Sequence, residues 1–557
     1  MPRAKHQKTE YEKALRLYRQ CSPRHVLTIE ADMPEDMKRR TFALSDRLRI
    51  CGNGLTARLS GTLEQLARDK KYRGLSKDYG KLSEQLKNHP DDKAAKAERR
   101  ETAARMTGLQ KQYHVTWEDA RRYMVYLKSR DGIDSIFALT RAEDIWSGVE
   151  KVLYSGADKI HFKRRGDLPE IRAKQPNRGI VITVKDGRLW FSCSAIGKES
   201  FTNLPPDKFQ SDELAAVLRY LEAPKVNDKA AVGAMLENGK ITDTYRPCFA
   251  SLVCKEIRGR LRVYIHLTIE GRPLPKYKSD GITPRHKYGK GRVGIDIGTQ
   301  TIAYTSDTEV GLRNLSERGM PIQKSERKER LLLRRIERSR RAMNPQNYNP
   351  DGTVMRGSKT WDKSKRGIAL EKQYRELCRK NAASRHYAIH EDINHLRSLG
   401  DTVITEPPNF KALQKRAKPE VSAPDTPAKK PKRRKRFGRS LQNRSPGACQ
   451  AALKQTFEST GGSYHEVDKN FRASQYDHTG DVYVRKKLSQ RMFDLADGSH
   501  VQRDWYSSFL MYNTDDECFS PDQDRCSSNF DTFYDMQNTM IAAIKKSGIH
   551  VMNSGIR

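Results

Sequence analysis

The stretch GRVGIDIGTQTIAYTS, from Gly291 to Ser306, decides the fold expected for the second half of this chain. Apolar residues alternate with small or polar ones over 293–297, which predicts a β-strand. In that strand Asp296 and the flanking Gly294 and Gly298 face one side, and the apolar residues face the other. A buried carboxylate without a partner tends to protonate, so Asp296 is expected to meet either a basic side chain or a divalent cation.

Two later segments offer further carboxylates. Glu406 ends the apolar strand TVIT, at a point where Pro407 forces a turn. Asp504 lies in VQRDWYSSFLMYN, at the amino end of a predicted helix. The order strand aspartate, strand glutamate, helix aspartate is that of an RNase H-like nuclease core. Three such carboxylates can hold two Mg²⁺ ions about 3.5–4 Å apart, so that water serves as the nucleophile.

The third position has competitors. Asp524 and Asp531 follow Asp504 in the chain, and either could supply the third carboxylate. Asp504 is preferred because it begins a predicted helix after a strand and a turn.

Composition points to a polyanionic partner. The chain has 557 residues, with 106 lysines and arginines against 69 aspartates and glutamates, a net charge of +37. This length predicts several domains, and basic residues gain affinity for nucleic acid by releasing its condensed counterions. An anionic membrane surface is the alternative partner. No apolar run is long enough to span a bilayer and the first residues do not form a signal peptide, so an intracellular protein is expected.

A β-barrel carrying a helical insertion is predicted for the first half. HVLTIEADM, His25–Met33, has the composition of a strand, and leucines at helical spacing from Leu44 to Leu63 predict an amphipathic helix after it. Two later segments alternate around short turns at Lys185–Gly187 and Arg258–Gly259, which predicts two hairpins. The first strand and the two hairpins could close a small barrel.

After the opening stretch, strands and helices alternate. KSERKERLLLRRIERSRR, Lys324–Arg341, has nine basic residues among eighteen, and Leu332, Leu333 and Ile336 are expected to form its narrow apolar stripe. Such a helix can pack on one side and lie against phosphates on the other, or simply present a solvated face. A second helix is predicted near Lys363–Leu399.

These motifs resemble a known family. VGIDIGTQTIAYTS, VITEPPNFKAL and VQRDWYSSFL are similar to the three RuvC motifs of transposon-encoded TnpB nucleases and of the compact type V CRISPR effectors derived from them. The resemblance extends over nearly the whole chain in order, weakly before residue 160. It implies that Asp296, Glu406 and Asp504 ligate Mg²⁺, for which Mn²⁺ can substitute.

The resemblance also implies a function. It is that of an RNA-guided DNA endonuclease, which binds a guide RNA, reads a short flanking DNA motif and cuts DNA in one RuvC site. Its partners are the guide RNA, the double-stranded target and the displaced single strand, with one protein copy expected per RNA. Such proteins act on DNA in the prokaryotic cytoplasm.

The implied fold class is multidomain, α+β and α/β: an amino-terminal wedge-like β-barrel with a helical recognition insertion, then an RNase H-like RuvC domain. In the first half, the predicted boundaries are 1–34 for the first barrel strand, 35–158 for the helical insertion and 159–290 for the barrel. In the second half, the three RuvC segments are 291–410, which includes the basic helices, 447–473, and 499–557, which includes a carboxy-terminal helix. A basic flexible linker, 411–446, separates the first two segments, and a reduced target-strand-loading insert, 474–498, separates the last two.

One departure from the family concerns zinc. Most members carry a zinc ribbon with two C-x-x-C pairs between the second and third motifs, but no cysteine occurs here between Cys449 and Cys518. Four-cysteine zinc ligation in the insert is therefore excluded, and no zinc is expected. Cys518 and Cys526 lie beyond the third motif, at a spacing that suits zinc poorly, and are expected to be ordinary thiols.

Rival interpretations remain. GIDIGTQT also resembles the first phosphate motif of actin-like sugar kinases, although there it opens the chain. An RNA-guided or transposon-associated protein that binds DNA without cutting it is also consistent with the positive net charge. The pair His386 and His390 could ligate a metal but lacks the glutamate of a zinc protease. Three aromatic residues could stack on bases or pack in the core: Tyr476, Trp505 and Tyr506.

Overall fold

The structure, a computed structural model, divides into two structural units, Met1–Leu274 and Pro275–Arg557. The described residues are 9–174, 177–317, 322–407, 410–414, 437–468, 470–487, 489–548, 550–552 and 554–556. Most of the predicted basic linker, residues 415–436, lies outside them. Within these ranges, no helix combines the length and the apolar character needed to cross a lipid bilayer.

A seven-stranded antiparallel sheet forms the centre of the first unit. Its strands are β1 (Arg24–Asp32), β2 (Ile171–Arg172), β3 (Val181–Lys185), β4 (Arg188–Ser192), β5 (Ser200–Asn203), β6 (Arg246–Ile257) and β7 (Arg260–Glu270). They pair in the order β2-β6-β7-β1-β5-β4-β3, a curled half-barrel with β2 and β3 at its edges. The early strand and both later hairpins therefore join one sheet, which is open at β2 and β3, whereas the sequence pattern predicts that these strands close a barrel.

The two predicted hairpins are confirmed. Each has a two-residue turn in which both residues have positive φ: 51° at Asp186 and 66° at Gly187, then 53° at Arg258 and 78° at Gly259. A two-residue turn of this kind matches the right-handed twist of the strands it joins. Only the second position of each turn is a glycine, which tolerates this backbone conformation without strain.

Eight helices accompany this sheet among the described residues. They are α1 (Glu10–Cys21), α2 (Glu35–Arg68), α3 (Lys70–Asn88), α4 (Lys93–Gln112), α5 (Trp117–Asp131), α6 (Ser135–Tyr154), α7 (Lys208–Glu222) and α8 (Pro224–Asn238). Helices α2 to α6 confirm the predicted helical region after the first strand. Helices α7 and α8 interrupt a section expected to be β-rich; the capping box of Asp207 with Gln210 was the local signal for α7.

The second unit is built on a five-stranded mixed sheet. Its strands are β8 (Arg292–Ile297), β9 (Thr301–Ser306), β10 (Val310–Asn314), β11 (Thr402–Thr405) and β12 (Ser463–Glu466), in the order β10-β9-β8-β11-β12. Strands β8, β11 and β12 are parallel, and β9 is antiparallel to its neighbours. Two small ribbons pair β13 (Tyr476–Asp477) with β14 (Val482–Tyr483), and β15 (Met492–Asp494) with β16 (His500–Gln502).

The helices of this unit follow the predicted alternation. They are α9 (Ile322–Met343), α10 (Lys365–Leu399), α11 (Phe410–Leu413), α12 (Gly438–Arg444), α13 (Pro446–Ser459), α14 (Arg503–Tyr512) and α15 (Gln523–Ser547), with a 3₁₀ turn at Pro345–Asn347. Helices α9, α10 and α14 confirm the three helices predicted near these positions.

Helices cover both faces of the five-stranded sheet. One face, which includes Val293 and Ile295, packs against α10 and α13. The other face, which includes Ala303 and Ile404, packs against α14 and α15. Alternate residues of β8 consequently enter two different cores, so the side chain of Asp296 belongs to the face covered by α14.

The expected packing of the basic helix α9 is wrong in one respect. Leu333, assigned to its apolar stripe, is 45% exposed, and none of the described side chains of α9 is buried. Polar contacts with α10 and its cap hold the helix instead: Asn381 donates to Glu329 at 2.6 Å, and the hydroxyls of Ser339 and Ser364 lie 3.0 Å apart. The other two stripe residues, Leu332 and Ile336, are only half-buried, so the expected apolar stripe makes little contact.

Gly294 allows α14 to touch the sheet. A Cβ atom there would overlap the carbonyl oxygen of Ser508 and the amide nitrogen of Tyr512, both backbone atoms of α14. Backbone atoms cannot move aside as a flexible side chain can, so a residue without a side chain is required. Gly294, two residues before Asp296, is thus required because α14 packs directly on β8.

We predict that Gly294→Ala lowers the free energy of unfolding of the second unit by about 2–3 kcal/mol, because the added methyl group forces α14 away from β8. Gly298→Ala is the matched control, since its nearest atoms would be 3.4 Å away, an ordinary contact. Urea unfolding should show a lower midpoint for Gly294→Ala alone. Equal midpoints for the two variants would contradict this packing.

Candidate active site

The parallel register of β8 and β11 brings two of the predicted acids together. Thr405 pairs with Ile295, so the next residue of the chain, Glu406, falls beside Asp296 when the register continues by one position. Neighbouring residues in register point to the same face of a sheet. Both carboxylates therefore lie at the carboxyl end of these strands, on the face covered by α14.

Asp504 reaches the same place from the helix. It stands in the first turn of α14, where the side chain of Gln502 caps the helix by accepting a hydrogen bond from the amide of Trp505 at 2.8 Å. The positive end of a helix dipole favours a negative side chain at this position. A carboxylate at the helix start is thus locally stabilised, although it approaches two others.

The carboxylate of Asp296 is repelled by the other two carboxylates. Burial raises the pKa of Asp296 well above its usual range, and repulsion from Asp504 and Glu406 raises this pKa further. Burial is also the largest cause that raises the pKa of Glu406 and that of Asp504. Three acids that share one poorly solvated region need a positive charge beside them to stay ionised.

Two arginines supply part of that charge. The Arg491 guanidinium lies 3.6 Å from the carboxylate of Asp504. Arg503 opposes the rise of the pKa of all three acids, so it lies close to each of them. Its Nη1 atom is buried and has no hydrogen-bond partner among the described residues. These arginines were not predicted as site residues, since neither stands in a periodic pattern.

The three carboxylates have the chemistry of metal ligands. Their oxygen atoms are the donors that Mg²⁺ and Mn²⁺ prefer, and their mutual repulsion is what a divalent cation relieves. In the portion of the chain that the structure describes, however, no three His, Cys, Asp or Glu side chains are close enough together to form a ready ligand group. The oxygen donors therefore suit a divalent cation by chemistry and charge, although their positions in the described part of the chain do not form a ready site for one.

The competing residues lie elsewhere. Asp524 and Asp531 are exposed on α15, and neither is among the charges that raise the pKa of Asp296. Cys518 and Cys526 are buried free thiols. The rings of His386 and His390 are 4.3 Å apart on α10, but they belong to no metal-binding group within the described ranges.

The aromatic candidates are core residues. Tyr476, Trp505 and Tyr506 are 6%, 0% and 1% exposed and belong to the core that α14 and α15 help to form. Their burial leaves no face free for a base, so the core-packing interpretation holds. Phe530 and Phe533 join the same core, which confirms that α15 is a packing helix.

The insert 474–498, predicted to lack zinc, is held by a buried aspartate. Asp477 accepts hydrogen bonds from the amide and hydroxyl of Thr479 at 3.0 and 2.8 Å and from the amide of Ala496 at 2.9 Å. The next residue, His478, meets the hydroxyl of Tyr506 at 2.8 Å. Asp477 ties two separate stretches of the insert together, and His478 attaches it to α14.

A lysine of the insert faces the same region. The Lys486 amine lies 3.3 Å from the ring centre of Phe493, and burial lowers the pKa of this amine to about 8. Its nitrogen has no hydrogen-bond partner among the described residues. The charge of Arg503 also lowers this pKa, so the two cations lie near each other.

Comparisons with known proteins add no identity. No protein-family model matches the chain, and no curated protein matches it either.

We predict that Asp477→Ala lowers the free energy of unfolding by about 2–4 kcal/mol, because two amides and a hydroxyl lose a charged acceptor. The control is Asp494→Ala, which breaks an exposed pair with His500 and should change this energy by less than about 1 kcal/mol. Thermal melting measures both variants. A zinc chelator should leave the wild-type melting temperature unchanged, and a fall on chelation would contradict a metal-free insert.

Proposed function

We propose that this protein is an RNA-guided DNA endonuclease with a single RuvC-type site, similar to TnpB nucleases and compact type V effectors. The observation that carries the proposal is that Glu406 and Asp504 both repel Asp296, so carboxylates from two neighbouring parallel strands and a helix start lie near one another. A purely structural salt bridge needs one acid, whereas a hydrolytic metal site needs several.

In this proposal the three carboxylates would hold the metal ions, which when bound supply an activated water and stabilise the leaving oxygen of the phosphodiester. The chain's own residues set the conditions. Asp296 and Glu406 present their oxygens from a rigid sheet edge, and Asp504 presents its oxygens from the helix packed on that edge. Arg503 and Arg491 offset part of the negative charge and oppose the rise in the pKa of Asp296 and Asp504.

The proposed partners rest on charge and on the resemblance. A net charge of +37 favours RNA and DNA as ligands. Among the described residues, no basic side chain of helix α9 is buried, so this helix can contact phosphates. A mixed sheet with helices on both faces is compatible with an RNase H-like nuclease domain, and the half-barrel unit is compatible with reading the flanking DNA. One copy would act per guide RNA, in the prokaryotic cytoplasm.

A second candidate is an RNA-guided or transposon-associated DNA-binding protein that does not cut. The observation that favours it is the pairing of Asp504 with Arg491, together with the absence of a ready ligand group in the described portion of the chain. In that case the arginines neutralise the acids permanently, and the region is a structural ion cluster.

We predict that Asp296→Asn, purified with its RNA, cuts target DNA in Mg²⁺ at least about 100-fold more slowly than wild type, because one of the three ligands loses its charge. Asp524→Asn is the matched control, an exposed aspartate of the same unit that should retain full activity. The target is a plasmid library with randomised flanking sequence, and the co-purified RNA is sequenced to define the guide.

Equal cutting by wild type and Asp296→Asn would refute the catalytic assignment. Guided DNA binding by both proteins without any cutting would establish the second candidate instead. Binding of bulk cellular RNA, with no species that has a constant scaffold and a variable end, would remove the guide from the proposal.

A further inference from the structure

A surface pocket lies between α2 and α5 of the first unit. Its volume is about 310 Å³. Leu55, Leu59 and Ala120 are buried and form an apolar floor, while Tyr123 and Tyr126 line one side. This volume is at the lower end of the range for small-ligand sites, enough for one planar ring system with a polar attachment.

The two tyrosines provide a stacking surface. Their ring centres are 6.0 Å apart with planes inclined by 27°, one helical turn from each other on α5. Tyr126 is 62% exposed, which is unusual for so large a ring beside an apolar pocket. Arg58 of α2 lies across the other ring, with its guanidinium carbon 5.9 Å from the centre of Tyr123. Flat surfaces of this composition bind bases.

The charges at the rim favour an anion. Neither Arg58 nor Arg122 takes part in an ion pair among the described residues, and both are exposed. The one carboxylate of the pocket, Asp119, is already engaged, because the hydroxyl of Thr116 donates to it at 2.5 Å and His114 lies 3.6 Å away. The rim therefore offers two positive charges without an ion-pair partner among the described residues, and its one carboxylate is already hydrogen-bonded.

We propose that this pocket binds one unpaired nucleotide of a nucleic-acid strand. The base stacks on Tyr123 and Tyr126, and Arg58 and Arg122 contact its phosphates. The inference rests on the proposed function for the class of ligand, nucleic acid, but it does not require cleavage. A paired base cannot present its face to these rings, so the pocket selects single-stranded or flipped nucleotides.

The test measures binding of fluorescein-labelled oligouridine and oligothymidine of equal length to the full chain freed of its RNA, without Mg²⁺. Tyr123→Ala should weaken binding about 5- to 150-fold, the usual effect of removing one stacking ring. Tyr123→Trp should keep or improve affinity, which separates stacking from folding damage. Arg58→Ala should reduce the slope of log affinity against log salt by about 0.7, one phosphate contact.

Tyr11→Ala is the matched control, because Tyr11 is an exposed tyrosine of the same unit, 39% exposed, outside the pocket. It should leave affinity unchanged. Photo-crosslinking of iodouridine-substituted strands to wild type should label Tyr123 or Tyr126. Crosslinks confined to other residues, or equal binding by Tyr123→Ala and wild type, would overturn the proposal. Preference between the RNA and DNA probes identifies the source of the strand, and neither result depends on nuclease activity.

Discussion

Repulsion among three carboxylates is the constraint on which the second unit depends. Asp296, Glu406 and Asp504 are half-buried near one another, and burial raises the pKa of each, so each loses its proton less readily there than in water. A fold that keeps them together loses stability there, and such losses are typical of functional sites. Arg503 and Arg491 reduce the loss without removing it, since the pKa of each acid remains raised.

The surrounding architecture maintains this arrangement. Parallel pairing of β8 with β11 brings two acids side by side, and the missing side chain of Gly294 lets α14 bring the third. Burial of Trp505 and Phe509 in the core holds α14 in position. Within the insert, Asp477 holds two stretches of chain together, and His478 contacts α14. The insert thereby places Arg491 beside Asp504. Changes far from the carboxylates should therefore alter their electrostatics.

Much of this region could be predicted from the sequence, because the decisive signals are local. Alternation placed Asp296 on one face of a strand, a proline marked the strand end at Glu406, and helical spacing put Asp504 at a helix start. The arginine counter-ions could not be predicted, since their role comes from long-range packing. The same reason explains the error at Leu333, where helical spacing alone does not reveal whether a neighbouring surface exists. Helices α7 and α8, of 15 residues each, lie between clear strands and were missed.

Thermal melting with and without Mg²⁺ tests the central claim most directly. Removing one of three repelling charges should make metal-free Asp296→Asn more stable than metal-free wild type. Mg²⁺ should raise the melting temperature of wild type and have little effect on the variant, because a cation that binds the folded state stabilises it. A variant less stable than wild type without metal, together with an equal response of both proteins to Mg²⁺, would contradict a repelling, metal-binding carboxylate cluster.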